Sequence, residues 1–263
     1  PTKGTTAQRP SDHVEVGSIR FNTDTSNLEY YRGHAAGWSQ FELIDPELGG
    51  GTGSNTGLGT RGIMGGYNAF GNVIEFLTVS TLGNTQDFGD LTVKRTNPGQ
   101  NVCNRSRMIF GGGYDAGGWE NVIDFITVAS LGDAIDFGDT TVKRMQLSAV
   151  NDNIRGIFGG GQTAPNYALV NTIDYITIAQ TGNAVDFGDT TNAKTSTSSV
   201  SSSTRGIFGH GAISPSPVGY ADFVTMASTG NATNFGNLSA NNRNQLYAGG
   251  SSSTRGIFAG GYI

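Results

Sequence analysis

The sequence predicts an all-β fold built from repeats of about 50 residues. One short motif, an arginine followed by apolar residues and glycines, opens five times, at Arg61, Arg107, Arg155, Arg205 and Arg255. The successive spacings are 46, 48, 50 and 50 residues. A period in this range, with glycines ending one strand and three more short strands following, is the signature of a propeller blade. The chain therefore predicts four full four-stranded blades and the start of a fifth.

Three candidate strands precede the repeats, at 16–22, 28–32 and 38–43. Residues 49–60 are rich in glycine and predict a flexible linker. The linker favours two bodies, a β module of residues 1–48 that attaches or oligomerises, and a propeller of residues 61–263. In the alternative, the three N-terminal strands pair with the single strand that begins at Arg255. Together they would form a fifth blade and complete a five-bladed ring.

Each repeat divides into four short segments bounded by turn residues. In the copy that opens at Arg155 they are RGIFGGG, NTIDYITIAQ, NAVDFGD and a polar stretch rich in Ser and Thr. The glycine-ended strand is expected near the propeller axis, where backbones approach closely. The polar strand is expected at the outer edge. Because β-branched residues dominate, we expect almost no helix.

An acidic residue recurs in the second strand of each copy, directly before an aromatic one. These acids are Glu75, Asp124, Asp174 and Asp222, and the aromatics are Phe76, Phe125, Tyr175 and Phe223. We expect each acid to contact the arginine at the start of its repeat, in an ion pair or charge-assisted hydrogen bonds that tie the blade together. The alternative is that these charges are solvated at strand ends, where exposed pairs contribute little.

Composition excludes several classes of function. The 263 residues carry a net charge of −5 and a pI near 5.1, so there is no basic surface for nucleic acid. The single cysteine, Cys103, cannot form an intramolecular disulfide. The sequence contains no run of 18 apolar residues, so it predicts no membrane span. The first ten residues, PTKGTTAQRP, lack the apolar core of a signal peptide.

The sequence predicts neither catalysis nor a cofactor. The sequence DFGD occurs in three copies and is NFGN in the fourth. Its first three letters match a metal-binding motif of protein kinases, but the lysine and catalytic loop of a kinase are missing, so we expect a structural role. We expect the aspartates of this motif to cap turns rather than to bind Ca²⁺. His13, His34 and His210 are far apart in sequence and predict no metal site. We therefore expect a protein that is not an enzyme and holds no metal.

The segments between the first and second strands differ from copy to copy. By blade geometry these loops emerge on one face, and variable loops on a rigid scaffold commonly carry recognition. Their aromatic and polar side chains suit sugar rings; the alternative is that the aromatics plug the blade ends. The candidate ligand-binding residues are Tyr67, Phe70, Tyr114, Asp115, Trp119, Tyr167 and Tyr220.

A diglycine after one strand, an acid-aromatic pair in the next and an aromatic third strand together resemble the kelch motif. Phenylalanine replaces the usual tryptophan, at Phe88, Phe137, Phe187 and Phe235. The sequence motifs RGIFGGG and NVIDFITVASLGDAIDFGD together resemble kelch-like repeats in virion proteins of tailed bacteriophages, especially phages that infect marine cyanobacteria. The segment 17–38 is similar to a β module of phage tail fibres.

These resemblances imply a virion structural protein, a tail-fibre or other appendage component whose propeller recognises a host-surface glycan or protein. Its partners would be other virion proteins and the host surface, with a homotrimer as one arrangement of the N-terminal module. The alternatives are a purely architectural role, as a capsid decoration or fibre spacer, and a propeller enzyme acting on glycans, which would need a facing carboxylate pair.

Overall fold

The computed structural model describes residues 2–10, 12–25, 27–41, 61–66, 71–79, 81–96, 99–195, 198–209, 211, 220–237, 248–252 and 254–259. Within these residues the protein is all-β, with a single 3-10 turn at Thr6–Gln8. The chain divides into two compact units, Pro1–Pro46 and Glu47–Ile263. The predicted linker at 49–60 lies outside the described residues. No described helix has the length and apolarity that crossing a bilayer requires.

The N-terminal unit contains one four-stranded sheet. Its strands are β1 (Thr2–Gly4), β2 (Ile19–Asn22), β3 (Asn27–Tyr31) and β4 (Trp38–Gln40), in that order, with only the β1–β2 pair parallel. Glu29 is fully buried in the sheet and accepts hydrogen bonds from Arg9, Arg20 and Asn22. A buried cluster of charged and amide side chains therefore connects β2 and β3, and removing one partner would leave a buried charge uncompensated.

The described part of the repeat unit contains five sheets in chain order and a separate two-stranded hairpin. Sheet 1 has β5 (Arg61–Gly65), β6 (Val73–Thr78) and β7 (Gln86–Asp90); sheet 2 has β8 (Val102–Cys103), β9 (Arg107–Asp115), β10 (Gly118–Thr127) and β11 (Ile135–Asp139). Sheet 3 has β12 (Ser148–Asn151), β13 (Arg155–Gly159), β16 (Thr172–Thr177) and β17 (Val185–Asp189), with a hairpin of β14 (Gln162–Thr163) and β15 (Ala168–Leu169) inserted. Sheet 4 has β18 (Ser199–Ser201), β19 (Arg205–Phe208), β20 (Tyr220–Thr225) and β21 (Thr233–Asn237); sheet 5 has β22 (Ala248–Ser251) and β23 (Gly256–Ala259).

The order of strands within sheets 3 and 4 differs from the sequence prediction. The polar strand pairs with the glycine-ended strand of the next copy, as β12 does with β13 and β18 with β19. The polar strand is buried, and the DFGD strand occupies the opposite edge of the sheet. The prediction of a polar outer edge was therefore wrong.

Hydrogen bonds between neighbouring sheets explain why a polar strand can be buried. The hydroxyl of Ser201 donates to the carbonyl of Asn151 at 2.9 Å, and that of Ser251 donates to the carbonyl of Ser201 at 2.8 Å. The Asn151 side-chain amide donates to the Cys103 carbonyl at 2.6 Å. Small hydroxyl and amide groups thus satisfy carbonyls that no strand pairs with, which removes the cost of burying them.

Apolar packing between the sheets follows one rule. In sheets 2, 3 and 4 a phenylalanine of the second strand lies against a glycine of the preceding sheet, as Phe110 lies against Gly65, Phe158 against Gly111 and Phe208 against Gly159. All three rings are fully buried. The interiors between sheets 1 and 2, 2 and 3, and 3 and 4 each form a separate apolar cluster.

The predicted exchange between the chain ends is not observed among the described strands. The segments 16–22, 28–32 and 38–43 contribute β2, β3 and β4, which pair with one another. The orphan strand β23 takes β22 as its partner in antiparallel register. The five-bladed ring closed by the N-terminal strands therefore has no support in the described pairing.

Candidate functional site

A buried ion pair recurs in sheets 2, 3 and 4, at the base of the variable loop. In sheet 3, Arg144 donates to Asp174 at 2.6 Å, and both side chains are inaccessible to solvent. The same guanidinium donates to the carbonyls of Gly160 at 3.0 Å and Thr172 at 2.6 Å, which lie just before and just after the loop. Arg144 therefore joins the two strands at the point where the loop leaves the sheet.

Sheets 2 and 4 repeat this arrangement. Arg95 pairs with Asp124 in sheet 2, and Lys194 pairs with Asp222 in sheet 4 at 2.7 Å. A threonine three residues before each cation donates its hydroxyl to the same aspartate; these donors are Thr92, Thr141 and Thr191. Each aspartate thus receives a cation and a hydroxyl from the segment that leaves the preceding sheet.

Burial dominates the electrostatics of these pairs. It lowers the pKa of Arg95, Arg144 and Lys194 below their usual values, against the opposing pull of the paired aspartates. It also raises the pKa of the Asp124 carboxyl, partly offset by Arg95. Such pairs are expensive to create and more expensive to break, because one partner alone would be an uncompensated buried charge.

The sequence prediction for these acids was wrong about the partner. The arginines that open the repeats lie over the aromatic ring of their own sheet, with guanidinium carbons 4.5–5.2 Å from the ring centroids of Phe76, Phe125, Tyr175 and Phe223. Three of them donate to a backbone carbonyl of the next sheet, as Arg155 does to Met226 at 2.9 Å. They therefore link neighbouring sheets and leave the aspartates to other cations.

The cations that sequence reasoning missed do carry a signal. The segments DLTVKR, DTTVKR and DTTNAK follow the DFGD strand in successive copies. In each, a threonine is followed three residues later by Arg95, Arg144 or Lys194. This repeated spacing of a hydroxyl and a cation is visible in the amino-acid sequence and marks three recurrent cations, although it does not show which acid each one contacts.

In sheet 2 the variable segment is a tight hairpin that extends β9 and β10. Tyr114 and Trp119 are opposite each other in its register, with ring centroids 5.3 Å apart. The Asp115 carboxylate accepts the backbone N–H groups of Gly117 at 2.6 Å and Gly118 at 2.9 Å. Asp115 therefore closes the turn, a common use of aspartate.

In sheet 3 the variable segment is the β14–β15 hairpin. Met145 and Gln162 form a bridge that fixes its start, and Thr163 donates its hydroxyl to the carbonyl of Lys143 at 2.8 Å. Asn166 and Tyr167 have φ of 66° and 57°, in the left-handed region that few side chains adopt. Tyr167 at the tip is 54% exposed.

The two hairpins meet through their aromatic rings. Trp119 lies edge-on to Tyr167, with centroids 5.3 Å apart and planes at 66°, and edge-on to Tyr114 at 74°. The indole N–H of Trp119 is buried and has no acceptor among the described residues. We call Tyr114, Trp119 and Tyr167 the aromatic trio. It combines an exposed ring with half-buried ones and joins two repeats.

The remaining candidate residues have other positions. Tyr220 begins β20, and its ring centroid lies 5.6 Å from Nζ of the buried Lys194; burial raises the pKa of its phenol. Tyr67 and Phe70 lie outside the described residues. The structure thus brings together three of the seven predicted residues and gives Asp115 a turn-closing role beside them. Among the described residues, no three His, Cys, Asp or Glu side chains are placed to hold a metal ion.

Comparison with known proteins finds a solved structure of similar fold and no family. No protein-family model matches the chain, and no curated protein matches it. Among solved structures, that of YjhT is similar, with a TM-score of 0.62 and 11% identity. The similarity covers 83% of this chain and 73% of YjhT. At this identity the likeness extends to the fold alone.

Proposed function

We propose that residues 61–263 form a kelch-like β-propeller, with sheets 1 to 4 as successive blades and sheet 5 as part of a fifth. Support comes from the spacing of the repeats and from the identical contacts between consecutive sheets. The polar first strands also hydrogen-bond to one another, as inner strands around an axis would. Blades of four strands arranged around a channel are the usual form of this architecture.

We further propose that this propeller is a recognition module without catalytic activity. The observation that carries this proposal is the aromatic trio, which stands on hairpins that differ between repeats. The buried pairs Arg95–Asp124 and Arg144–Asp174 fix the base of both hairpins, so the rings are presented by a rigid support. Aromatic faces pack against the C–H faces of sugar rings, which makes a carbohydrate the ligand class that fits best.

The setting we propose is a bacteriophage virion, as a tail-fibre or other appendage component. The resemblance of the repeats and of segment 17–38 to phage virion proteins supports it. In this proposal the N-terminal sheet attaches the protein to other virion proteins or forms a homotrimer, and the trio contacts a host-surface glycan or protein. Recognition of this kind needs no cofactor.

Carbohydrate binding can be tested with purified host-surface polysaccharide. Trp119→Ala and Tyr167→Ala should each weaken binding about tenfold or more, as expected for central aromatic contacts. Ile154→Ala is the matched control, because Ile154 is 66% exposed and lies in the β12–β13 turn, at the opposite strand ends from the hairpins. Equal binding by the wild-type protein and all three variants would contradict the proposal.

An architectural role is the second candidate, and the half-buried Trp119 favours it. In that case the trio is the small core of two loops, and Trp119→Ala should lower the melting temperature without changing phage adsorption. Immunogold labelling of purified particles separates the two roles. Label at fibre tips supports recognition, and label over the capsid or along a shaft supports architecture.

A further inference from the structure

The indole N–H group of Trp119 is buried and has no hydrogen-bond acceptor among the described residues. Burying a donor without an acceptor costs free energy, and native structures seldom keep such a group without a use for it. The second tryptophan of the chain differs, because the indole N–H of Trp38 donates to the carbonyl of Pro10 at 3.0 Å. Trp119 therefore holds a donor for an acceptor that enters the aromatic trio.

Two tyrosine rings flank this indole, and the backbone of one of them is fixed. Tyr114 pairs with Trp119 across the β9–β10 hairpin. Its backbone also exchanges two hydrogen bonds with that of Thr96, at 2.7 and 2.9 Å. Moving the backbone of Tyr114 would break these pairings. Tyr114 therefore stays beside Trp119 as part of the sheet.

Tyr167, the other flanking residue, is held much less firmly. Arg144 fixes the base of the β14–β15 hairpin, which is paired over only two residues on each side. The tip, 164–167, takes part in no hydrogen bond within the described part of the chain. Asn166 and Tyr167 are also both in the left-handed region of φ, which costs free energy. The described contact between this tip and sheet 2 is the edge-on packing of Tyr167 on Trp119.

We propose that Tyr167 is the movable half of a clamp, and that a sugar ring enters between it and Trp119. A hydroxyl or ring oxygen of the sugar accepts the indole N–H of Trp119, and Tyr167 closes on the other side of the sugar. This inference rests on the proposed carbohydrate binding and makes it more specific. It assigns to Trp119 the polar contact that orients the ligand, a role that a few placed donors have in most ligand sites.

The exchange of contacts favours a ligand with two properties. Opening the clamp gives up one edge-on aromatic contact, which contributes modestly to stability. An apolar C–H face replaces that contact on both rings, and an acceptor oxygen at the edge of the ligand satisfies the buried donor. A ligand without such an oxygen gains the packing alone. The clamp should therefore select a sugar over a purely apolar ring.

NMR spectroscopy of the indole protons tests the proposal on the full protein. The chain has two tryptophans, and Trp119→Phe assigns their two indole signals. The probe is a set of short oligosaccharides cut from purified host-surface polysaccharide. Saturation should move the Trp119 proton downfield, as a new hydrogen bond does, and leave the Trp38 proton in place as the internal control. Nuclear Overhauser effects between Tyr167 and Trp119 should weaken, while those between Tyr114 and Trp119 persist.

Binding measured by calorimetry separates the hydrogen bond from the aromatic surface. Trp119→Phe keeps an aromatic ring and removes the N–H, so it should weaken binding about fivefold. Trp119→Ala should weaken it further, because it also removes the ring. Ile154→Ala, in the turn at the opposite strand ends, is the control and should bind as the wild type does.

The outcomes distinguish this inference from the proposed function. If the wild-type protein does not bind the oligosaccharides, carbohydrate binding fails and the clamp fails with it. If Trp119→Ala weakens binding, the proposed function stands. The clamp is then overturned by any one of three results: an unmoved Trp119 proton, equal binding by Trp119→Phe and the wild type, or unchanged Overhauser effects between Tyr167 and Trp119.

Discussion

Phe158 in β13 lies against Gly111 in β9, so that a methyl group added at Gly111 would be 3.0 Å from the ring. The same contact joins Phe110 to Gly65 and Phe208 to Gly159. Glycine is required here because the neighbouring ring occupies the space of a side chain. One residue pair, repeated, thus sets the spacing between successive sheets.

Phe158→Ala should lower the free energy of unfolding by about 3–5 kcal/mol, because it removes a fully buried ring and leaves a cavity. Met64→Ala is the control at the same repeat position. Met64 is half exposed, so its loss should change stability by less than about 0.5 kcal/mol. Urea denaturation of both variants measures the difference. Similar losses would mean that ring packing between sheets does not contribute as described.

Gly138→Ala should be more destabilising than Gly236→Ala, although both residues occupy the glycine of the DFGD position. Their φ values of 143° and 134° impose similar backbone strain on alanine. A Cβ at Gly138 would lie 2.5 Å from the backbone of Gly182, whereas one at Gly236 meets nothing within 4 Å. We expect an additional loss of about 1–3 kcal/mol in Gly138→Ala, from overpacking between sheets. Thermal denaturation of the two variants checks it, and equal melting temperatures would contradict the inter-sheet contact.

Asp174→Asn should lower the free energy of unfolding by about 3–5 kcal/mol, because it leaves the Arg144 guanidinium buried without its carboxylate. Glu75→Gln is the matched control in the first copy, where the acid is exposed and accepts a hydrogen bond from Thr85 at 3.2 Å. That change should stay within about 0.5 kcal/mol. Urea denaturation gives both values.

A second measurement links this pair to the binding face. Because Arg144 also holds the carbonyls of Gly160 and Thr172, Asp174→Asn should loosen the β14–β15 hairpin. Chymotrypsin should then cleave at Tyr167 faster in native conditions. Unchanged cleavage together with unchanged stability would show that the pair is not needed to support the loop.

The repeat pattern predicted strands and period well, because glycines and alternating apolar residues report local structure directly. It misplaced the polar strand, since a Ser-rich segment such as Ser199–Ser201 suits solvent by composition. Its burial depends on carbonyl acceptors in the neighbouring sheet, 50 residues away along the chain. The partner of Asp174 was missed for a similar reason. Both Arg144 and Arg155 are present in the sequence, and only the packing of sheets decides which reaches the carboxylate.

The candidate site shows the same limit. The variable segments predicted Tyr114, Trp119 and Tyr167 as ligand-binding residues, and the structure places their rings in contact. Sequence could not show that Trp119 contacts Tyr167 across two repeats, or that Asp115 is occupied by its own turn. Those outcomes depend on the path of each hairpin after it leaves the sheet.

The N-terminal sheet should lose stability in acid because of Glu29. Hydrogen bonds from Arg9 hold the pKa of this carboxyl at about 2, below its usual 4.5, with Asn22 and Arg20 adding to the effect. The unfolded chain therefore binds the proton more readily, so stability is fully present above pH 4.5 and falls as the pH drops toward 2. In a Trp119→Phe background, Trp38 is the sole remaining tryptophan and reports this unit through its contacts with Pro10 and Tyr31. Fluorescence melting should show a transition temperature that declines through this window, and Glu29→Gln should lower it at pH 7 and flatten the decline. The exposed Glu15→Gln is the control and should leave the profile unchanged, whereas an equal effect of both substitutions would contradict the role of Glu29.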